Sequence, residues 1–137
     1  MNRAIHFKEK RSQSLREIAE DYTEMISDLI ESQGKARVCD LAREMGISHV
    51  SVIKSLKKLI RDDYVVKNSI QFIELTPKGK DLAIFSKKKH QLLSEFLLKI
   101  GVSEHTAATD VEGIEHHISA ETLQAIQVHL SSLKRGL

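Results

Sequence analysis

The segment "VCDLAREMGISHVSVIKSLKKLI", residues 38–60, constrains the fold more than any other part of this chain. Its apolar spacing predicts a short helix over residues 39–45, a tight turn at residues 46–48 and a second helix that starts near His49. Six apolar side chains would fill the core between these helices: Val38, Leu41, Ile47, Val52, Leu56 and Leu59. This arrangement is typical of a helix-turn-helix.

The second helix carries a polar stripe that contains no acidic group: Ser51, Lys54, Ser55 and Lys58. Short hydroxyl side chains and lysines can enter a major groove and donate to phosphates and base edges. Residues 35–68 carry eight basic and four acidic side chains, and this surplus favours a polyanion as partner. A solvated helix face is the alternative. We predict DNA contacts for the following residues: Ser48, His49, Ser51, Lys54, Ser55, Lys58 and Lys67.

After the second helix, the segment "YVVKNSIQFIELT", residues 64–76, is rich in β-branched and aromatic side chains. It predicts two short strands around a turn near residues 68–69. A helix-turn-helix that is followed by such a hairpin is a winged helix, so the hairpin is the predicted wing.

Two longer helices flank this region. Apolar side chains recur at helical spacing over residues 17–32, and Gly34 is the expected C-terminal cap. Downstream, Thr76 is the expected N-cap of a helix that has proline at its first position and extends to about Ile100. Residues 1–14 are basic and polar, and we expect a mobile tail there.

The C-terminal part predicts two short helices, with Ser103 and Asp110 as caps, and a last helix that begins after Ser119. The last helix has an apolar stripe that would be covered by a second copy of the chain: Leu123, Ile126, Leu130 and Leu133. The prediction is therefore a mainly α fold and a homodimer. A tail over residues 1–14 would precede a winged-helix domain over residues 15–80 and an all-helical domain over residues 81–137.

Composition restricts the setting of the protein. No apolar run approaches the length of about 18 residues that would span a membrane, and the first residues lack the apolar stretch of a signal peptide. Cys39 is the only cysteine, so no internal disulfide can form. We expect a cytoplasmic protein without a membrane partner.

The segment "DVEGIEHHIS", residues 110–119, gathers carboxylates and imidazoles. Glu112, Glu115 and His116 would share one helix face, and Asp21 and Glu24 form a second pair with helical spacing. By spacing alone, a solvated acidic face is the alternative interpretation. If these side chains converge with an imidazole such as that of His90, four carboxylates would repel one another unless two divalent cations neutralise them.

The ligand types limit the choice of metal. Carboxylate oxygens with some imidazole and no thiolate suit Mn²⁺ or Fe²⁺. The candidate ligands, all oxygen or nitrogen donors, are Asp21, Glu24, His90, Glu112, Glu115 and His116.

Five ordered blocks of the sequence closely resemble the diphtheria-toxin-repressor family, with its manganese-responsive MntR-type branch as the nearest fit. The blocks are "EDYTEMI" (20–26), "KARVCDLAREMGIS" (35–48), "LTPKGK" (75–80), "HQLLSEFLLKIGVS" (90–103) and "DVEGIEHHIS" (110–119). The resemblance implies a winged-helix domain, a helical dimerisation domain and a binuclear Mn²⁺ site whose ligands fall on the six residues named above. It also implies a transcriptional regulator that represses manganese uptake genes by binding a palindromic operator, without an organic ligand.

The sequence leaves three alternative functions open. A regulator of the same family could respond to iron or zinc, because divalent affinity orders run against manganese. A winged-helix regulator could sense an organic ligand, with the acidic residues incidental. Least favoured is a carboxylate di-metal enzyme, because the chain has no long four-helix bundle.

Overall fold

The computed structural model describes residues 3–67 and 71–135, and within this part of the chain the fold is mainly helical. The helices are α1 (Arg3–Gln33), α2 (Val38–Met45), α3 (His49–Arg61), α4 (Pro77–Lys99), α5 (Glu104–Ile114) and α6 (Ala120–Arg135). They group into two compact units, one formed by residues 17–85 and the other by residues 1–16 together with residues 86–137.

The unit of residues 17–85 has a continuous apolar core. It receives Tyr22 and Ile26 from α1, Leu41 from α2, Val52 from α3 and Ala83 from α4. Ile26, Leu41 and Val52 are fully buried, as expected for the inward positions of amphipathic helices. The predicted helix-turn-helix is confirmed within this unit.

The caps of the helix-turn-helix explain where its helices end and begin. Gly46 adopts a left-handed conformation, with φ of 66°, and its N–H contributes to closing the C-terminus of α2. The hydroxyl of Ser48 accepts a hydrogen bond from the N–H of Ser51 at 3.1 Å and starts α3. Ile47, which was predicted to lie in the core, is instead 39% exposed because it lies in the turn between these caps.

The predicted wing differs from what the described residues contain. An isolated antiparallel bridge joins Val65 to Leu75, and no strand forms in the described residues on either side of it. The N–H of Val66 donates to the carbonyl of Glu74 at 2.9 Å, so the two segments run side by side at their base. The predicted turn at residues 68–69 lies outside the described residues, and the two-stranded wing stays a prediction.

The helix that follows begins as predicted. The hydroxyl of Thr76 accepts from the N–H of Gly79 at 3.0 Å, which caps α4 at the proline. At the other end, Gly101 has a φ of 101°, and the N–H of Val102 donates to the carbonyl of Leu97 at 3.0 Å. These contacts are those of a glycine-terminated helix.

The bounds of two helices differ from those expected. The N-terminal residues from Arg3 onward belong to α1, although a mobile tail was predicted there. Residues 3–16 contain neither glycine nor proline, so nothing in them breaks a helix. The two short helices predicted around Asp110 are one helix, α5, which Ser103 caps as expected and which passes through Asp110.

The apolar stripe of α6 is only partly available to a second copy of the chain. Leu130 is 3% exposed and is therefore already buried within the chain, whereas Leu133 is 42% exposed. None of the helices in the described ranges is both long enough and apolar enough to cross a membrane.

Candidate metal centre and nucleic-acid interface

Three of the predicted ligands meet within one unit. His90 lies on α4, Glu112 lies on α5 and Glu115 forms the C-terminal cap of α5. Each offers one ligand atom, and these three atoms lie within 4.8 Å of one another. The shortest separation joins His90 Nδ1 to Glu115 Oε2 at 2.9 Å, a hydrogen-bond distance.

Glu115 is the centre of this group. It is 3% exposed, and its second carboxylate oxygen lies 3.3 Å from Nε2 of His116, which is also buried. Its main-chain carbonyl accepts a hydrogen bond of 2.9 Å from Nζ of Lys89, a lysine that is only 5% exposed. Two imidazoles and one ammonium group therefore surround a buried glutamate.

The donor set fits a divalent cation. Two ligand atoms at about 2.0–2.2 Å from one ion lie at most about 4.4 Å apart, so the three atoms need only small side-chain rotations to share one. Two carboxylates and an imidazole are oxygen and nitrogen donors, which suit Mn²⁺ and Fe²⁺ better than thiolate-seeking ions. His90 and Glu112 are also open to solvent in part or fully, which gives an ion a way in.

The local backbone differs from the prediction that Glu112, Glu115 and His116 share one helix face. The helix α5 ends at Ile114, so Glu115 and His116 lie in the turn that follows. The N–H of His117 donates to the carbonyl of Ile114 at 2.9 Å, which tightens this turn. Glu115 and His116 are both buried in this turn.

The remaining two predicted ligands lie on α1 in the unit of residues 17–85. Asp21 and Glu24 are both half-buried and stand three residues apart, so they occupy the same face of the helix. Their role as ligands stays a prediction.

The predicted DNA contacts lie at the surface of α3 and its flanks. All seven are exposed except Ser55, which is half-buried: Ser48, His49, Ser51, Lys54, Ser55, Lys58 and Lys67. The side chain of Ser48 also donates to that of Ser51 at 3.0 Å, so these hydroxyls serve the N-cap as well. The DNA contacts themselves stay a prediction.

Sequence reasoning missed two kinds of residue. The first is a pair of exposed apolar residues on α3, Val50 and Ile53, which are 63% and 44% exposed. Their positions could have shown this, because they lie off the helical spacing of the buried Val52, Leu56 and Leu59. The buried Lys89 is the second, since nothing in the sequence distinguishes it from the exposed Lys88 beside it.

Two family models match the chain, one to each part. Residues 14–69 match the N-terminal DNA binding domain of iron dependent repressors. Residues 76–136 match their metal binding and dimerisation domain. Together the two matches cover both the helix-turn-helix and the group around Glu115.

Curated relatives are similar over most of their length. The transcriptional regulator MntR of Salmonella typhimurium is 43% identical over 119 residues, which are 87% of this chain and 76% of the relative. The HTH-type transcriptional regulator MntR of Geobacillus kaustophilus is 44% identical over 107 residues, 78% of this chain and 76% of that protein.

Solved structures of manganese-dependent regulators are also similar to this chain. The manganese regulator SloR matches with a TM-score of 0.72 and 29% identity, over 82% of this chain and 53% of that chain. A manganese-dependent transcriptional repressor in complex with manganese matches with a TM-score of 0.73 and 28% identity, over 82% of this chain and 52% of the other. The chain thus spans about half the length of these structures.

Proposed function

The chain belongs to the iron dependent repressor family of transcriptional regulators, and from this premise we propose that it is a metal-dependent DNA-binding repressor that responds to Mn²⁺. The observation that carries the proposal is the convergence of His90, Glu112 and Glu115 in a chain that also contains a helix-turn-helix. The regulated genes would be those of manganese uptake.

The metal site would use six residues of the chain: Asp21, Glu24, His90, Glu112, Glu115 and His116. The geometry of His90, Glu112 and Glu115 supports three of them directly. The parts of Asp21, Glu24 and His116, and a binuclear Mn²⁺ centre, rest on the resemblance of the sequence motifs. Fe²⁺ is the alternative ion, since the same donors accept it.

The role of the chain's own residues follows from their charges. A bound divalent cation supplies positive charge to carboxylates that otherwise repel one another. His90 would bind the ion through an unprotonated ring nitrogen, because an imidazole nitrogen binds a cation only through its free lone pair. His90 on α4 and Glu115 at the end of α5 would both hold the ion.

The DNA-binding step is assigned to α3. We propose that its exposed lysines, Lys54 and Lys58, contact phosphates, and that the methyl groups of Val50 reach a thymine methyl in the major groove. The operator would be a palindrome, because a homodimer presents two such helices related by a two-fold axis. As a regulator that binds DNA it would act in the cytoplasm.

The enzyme considered from the sequence is not proposed, since the family models and the curated relatives are those of transcriptional regulators. An iron- or zinc-responsive regulator stays the second candidate, and the same experiment distinguishes it.

The test is fluorescence anisotropy with a promoter fragment of a manganese transporter gene, in Mn²⁺, Fe²⁺, Zn²⁺ or chelator. We expect tight binding with Mn²⁺ and a large loss with chelator. Equal DNA affinity in Mn²⁺ and in chelator would contradict metal dependence, and a response to Fe²⁺ or Zn²⁺ without one to Mn²⁺ would favour the second candidate.

A further inference from the structure

Lys89 is a buried lysine in a place where burial needs an explanation. It lies on α4 beside His90 and is 5% exposed, whereas its neighbour Lys88 is exposed. Lysine is almost never fully buried unless its ammonium group has polar partners, because desolvation of the charge is unfavourable. One such partner is the main-chain carbonyl of Glu115, to which Nζ donates at 2.9 Å.

Lys89 and His90 hold the same residue at two points. The ammonium group of Lys89 binds the main-chain oxygen of Glu115, and Nδ1 of His90 lies 2.9 Å from its carboxylate oxygen Oε2. Adjacent residues of a helix point about 100° apart, so the two contacts approach Glu115 from different sides. The first fixes where the backbone of Glu115 lies, and the second fixes where its side chain points.

The carbonyl that Lys89 binds lies at a helix end. Glu115 is the C-terminal cap of α5, and the last carbonyls of a helix have no partner within the helix. A cation there is favoured by the negative end of the helix dipole. Lys89 therefore fastens the C-terminal end of α5 to α4 at the position where His90 and Glu115 must meet.

We propose that Lys89 is a positioning residue of the metal centre, which sets the distance between the ligand atoms of His90 and Glu115 by holding the Glu115 main chain. This inference rests on the proposed function, because it assigns a role within the proposed Mn²⁺ site. Lys89 itself would not bind the ion.

The charge of Lys89 makes the inference sharply testable. A positive charge beside the site repels a cation, so removal of the charge alone would tighten Mn²⁺ binding. Removal of the hydrogen bond would leave the main chain of Glu115 less well fixed and would weaken Mn²⁺ binding. The direction of the change in Mn²⁺ affinity therefore separates a positioning role from a purely electrostatic one.

The experiment measures Mn²⁺ binding by calorimetry for the wild type, Lys89→Met, Lys89→Arg and the exposed control Lys88→Met. We expect Lys89→Met to weaken Mn²⁺ binding by about 10-fold or more, as for other groups that orient metal ligands. Lys89→Arg, which keeps the charge and the donors, should bind Mn²⁺ more tightly than Lys89→Met. Lys88→Met should resemble the wild type.

A second readout excludes a general loss of structure. The electron paramagnetic resonance spectrum of bound Mn²⁺ should change in Lys89→Met and stay unchanged in Lys88→Met, because only the first alters the ligand arrangement. If Lys89→Met does not fold without metal, Lys89→Gln serves in its place: weaker binding than the wild type supports positioning, and tighter binding contradicts it.

The outcomes also separate this inference from the function on which it rests. Mn²⁺ affinity of Lys89→Met equal to or higher than that of the wild type, with an unchanged spectrum, would overturn the role of Lys89 alone. Absence of Mn²⁺ binding by the wild type would overturn the proposed function, and the role of Lys89 with it.

Discussion

At the scale of single residues, the burial of Glu115 is the feature that most needs a physical cause. A carboxylate that is 3% exposed is stable only when polar or charged groups lie beside it, and here the imidazoles of His90 and His116 do so. The same surroundings place its oxygens where a cation could be shared with His90 and Glu112. The polar groups that make the burial of Glu115 possible are thus also those beside which it could bind an ion.

The substitution Glu115→Gln tests that role. Glutamine keeps the shape and one oxygen but removes the negative charge, so we expect Mn²⁺ affinity to fall by about 10-fold or more. Calorimetry measures this, with Glu121→Gln on the exposed first turn of α6 as the control of equal charge change. Unchanged affinity in Glu115→Gln would exclude Glu115 as a ligand.

Gly79 is a second residue for which the structure explains why a side chain is not tolerated. A methyl group added there would strike the carbonyl oxygen of Tyr64, which also accepts a hydrogen bond from the N–H of Thr76 at 3.0 Å. We expect Gly79→Ala to lower the free energy of unfolding by about 1–3 kcal/mol. Denaturant unfolding in chelator measures this.

The control for that substitution is Gly113→Ala, since a methyl group at Gly113 meets nothing within 4 Å. In the helix α5 this change should be neutral or should stabilise by up to about 1 kcal/mol. Equal effects of the two substitutions would show that the contact with Tyr64 does not restrict the residue at 79.

At the scale of elements, α3 is the part of the chain proposed to meet DNA. Its buried side rests on the core through Val52, and its outer side carries Lys54 and Lys58. If Lys58 neutralises a phosphate, Lys58→Ala should reduce the slope of log affinity against log salt by about 0.9, on operator and unrelated DNA alike.

Salt titrations by fluorescence anisotropy measure this slope. The exposed Lys99, at the end of α4 in the other unit, gives the control Lys99→Ala. A slope that changes as much in Lys99→Ala as in Lys58→Ala would argue against a phosphate contact by α3.

The elements that could be predicted from sequence are those with strong local signals. The helices α2 and α3 have clear apolar spacing and defined caps at Gly46 and Ser48. The helix α4 begins at Pro77, directly after its cap Thr76. The extent of α1 was missed because residues 3–16 carry no apolar periodicity, although nothing in them prevents a helix.

The metal centre was predictable in its residue types but not in its geometry. Asp110 was expected to cap a separate helix because aspartate favours caps, yet it lies within α5, whose buried face carries Ala107 and Val111. The burial of Lys89 is a tertiary effect that no local pattern records. Ligand types follow from residue identity, whereas the positions of the ligands follow from packing.

At the scale of the whole molecule, charge is segregated along the chain. Residues 17–34 carry six acidic and no basic side chains, and residues 35–68 carry a basic surplus. Cations and a polyanion would therefore be attracted to different segments, as a regulator that binds both requires. The match to a dimerisation domain, together with the exposed Leu133 on α6, supports a homodimer.

We propose that the protein binds DNA more tightly when Mn²⁺ is bound, and Mn²⁺ more tightly when DNA is bound. If Mn²⁺ tightens DNA binding, DNA must tighten Mn²⁺ binding by the same factor. The most direct measurement is the Mn²⁺ affinity of the full chain, free and saturated with the promoter fragment that it binds. We predict an affinity that is about 5–150-fold higher on DNA, a coupling of about 1–3 kcal/mol. Identical Mn²⁺ affinities with and without DNA would contradict the account.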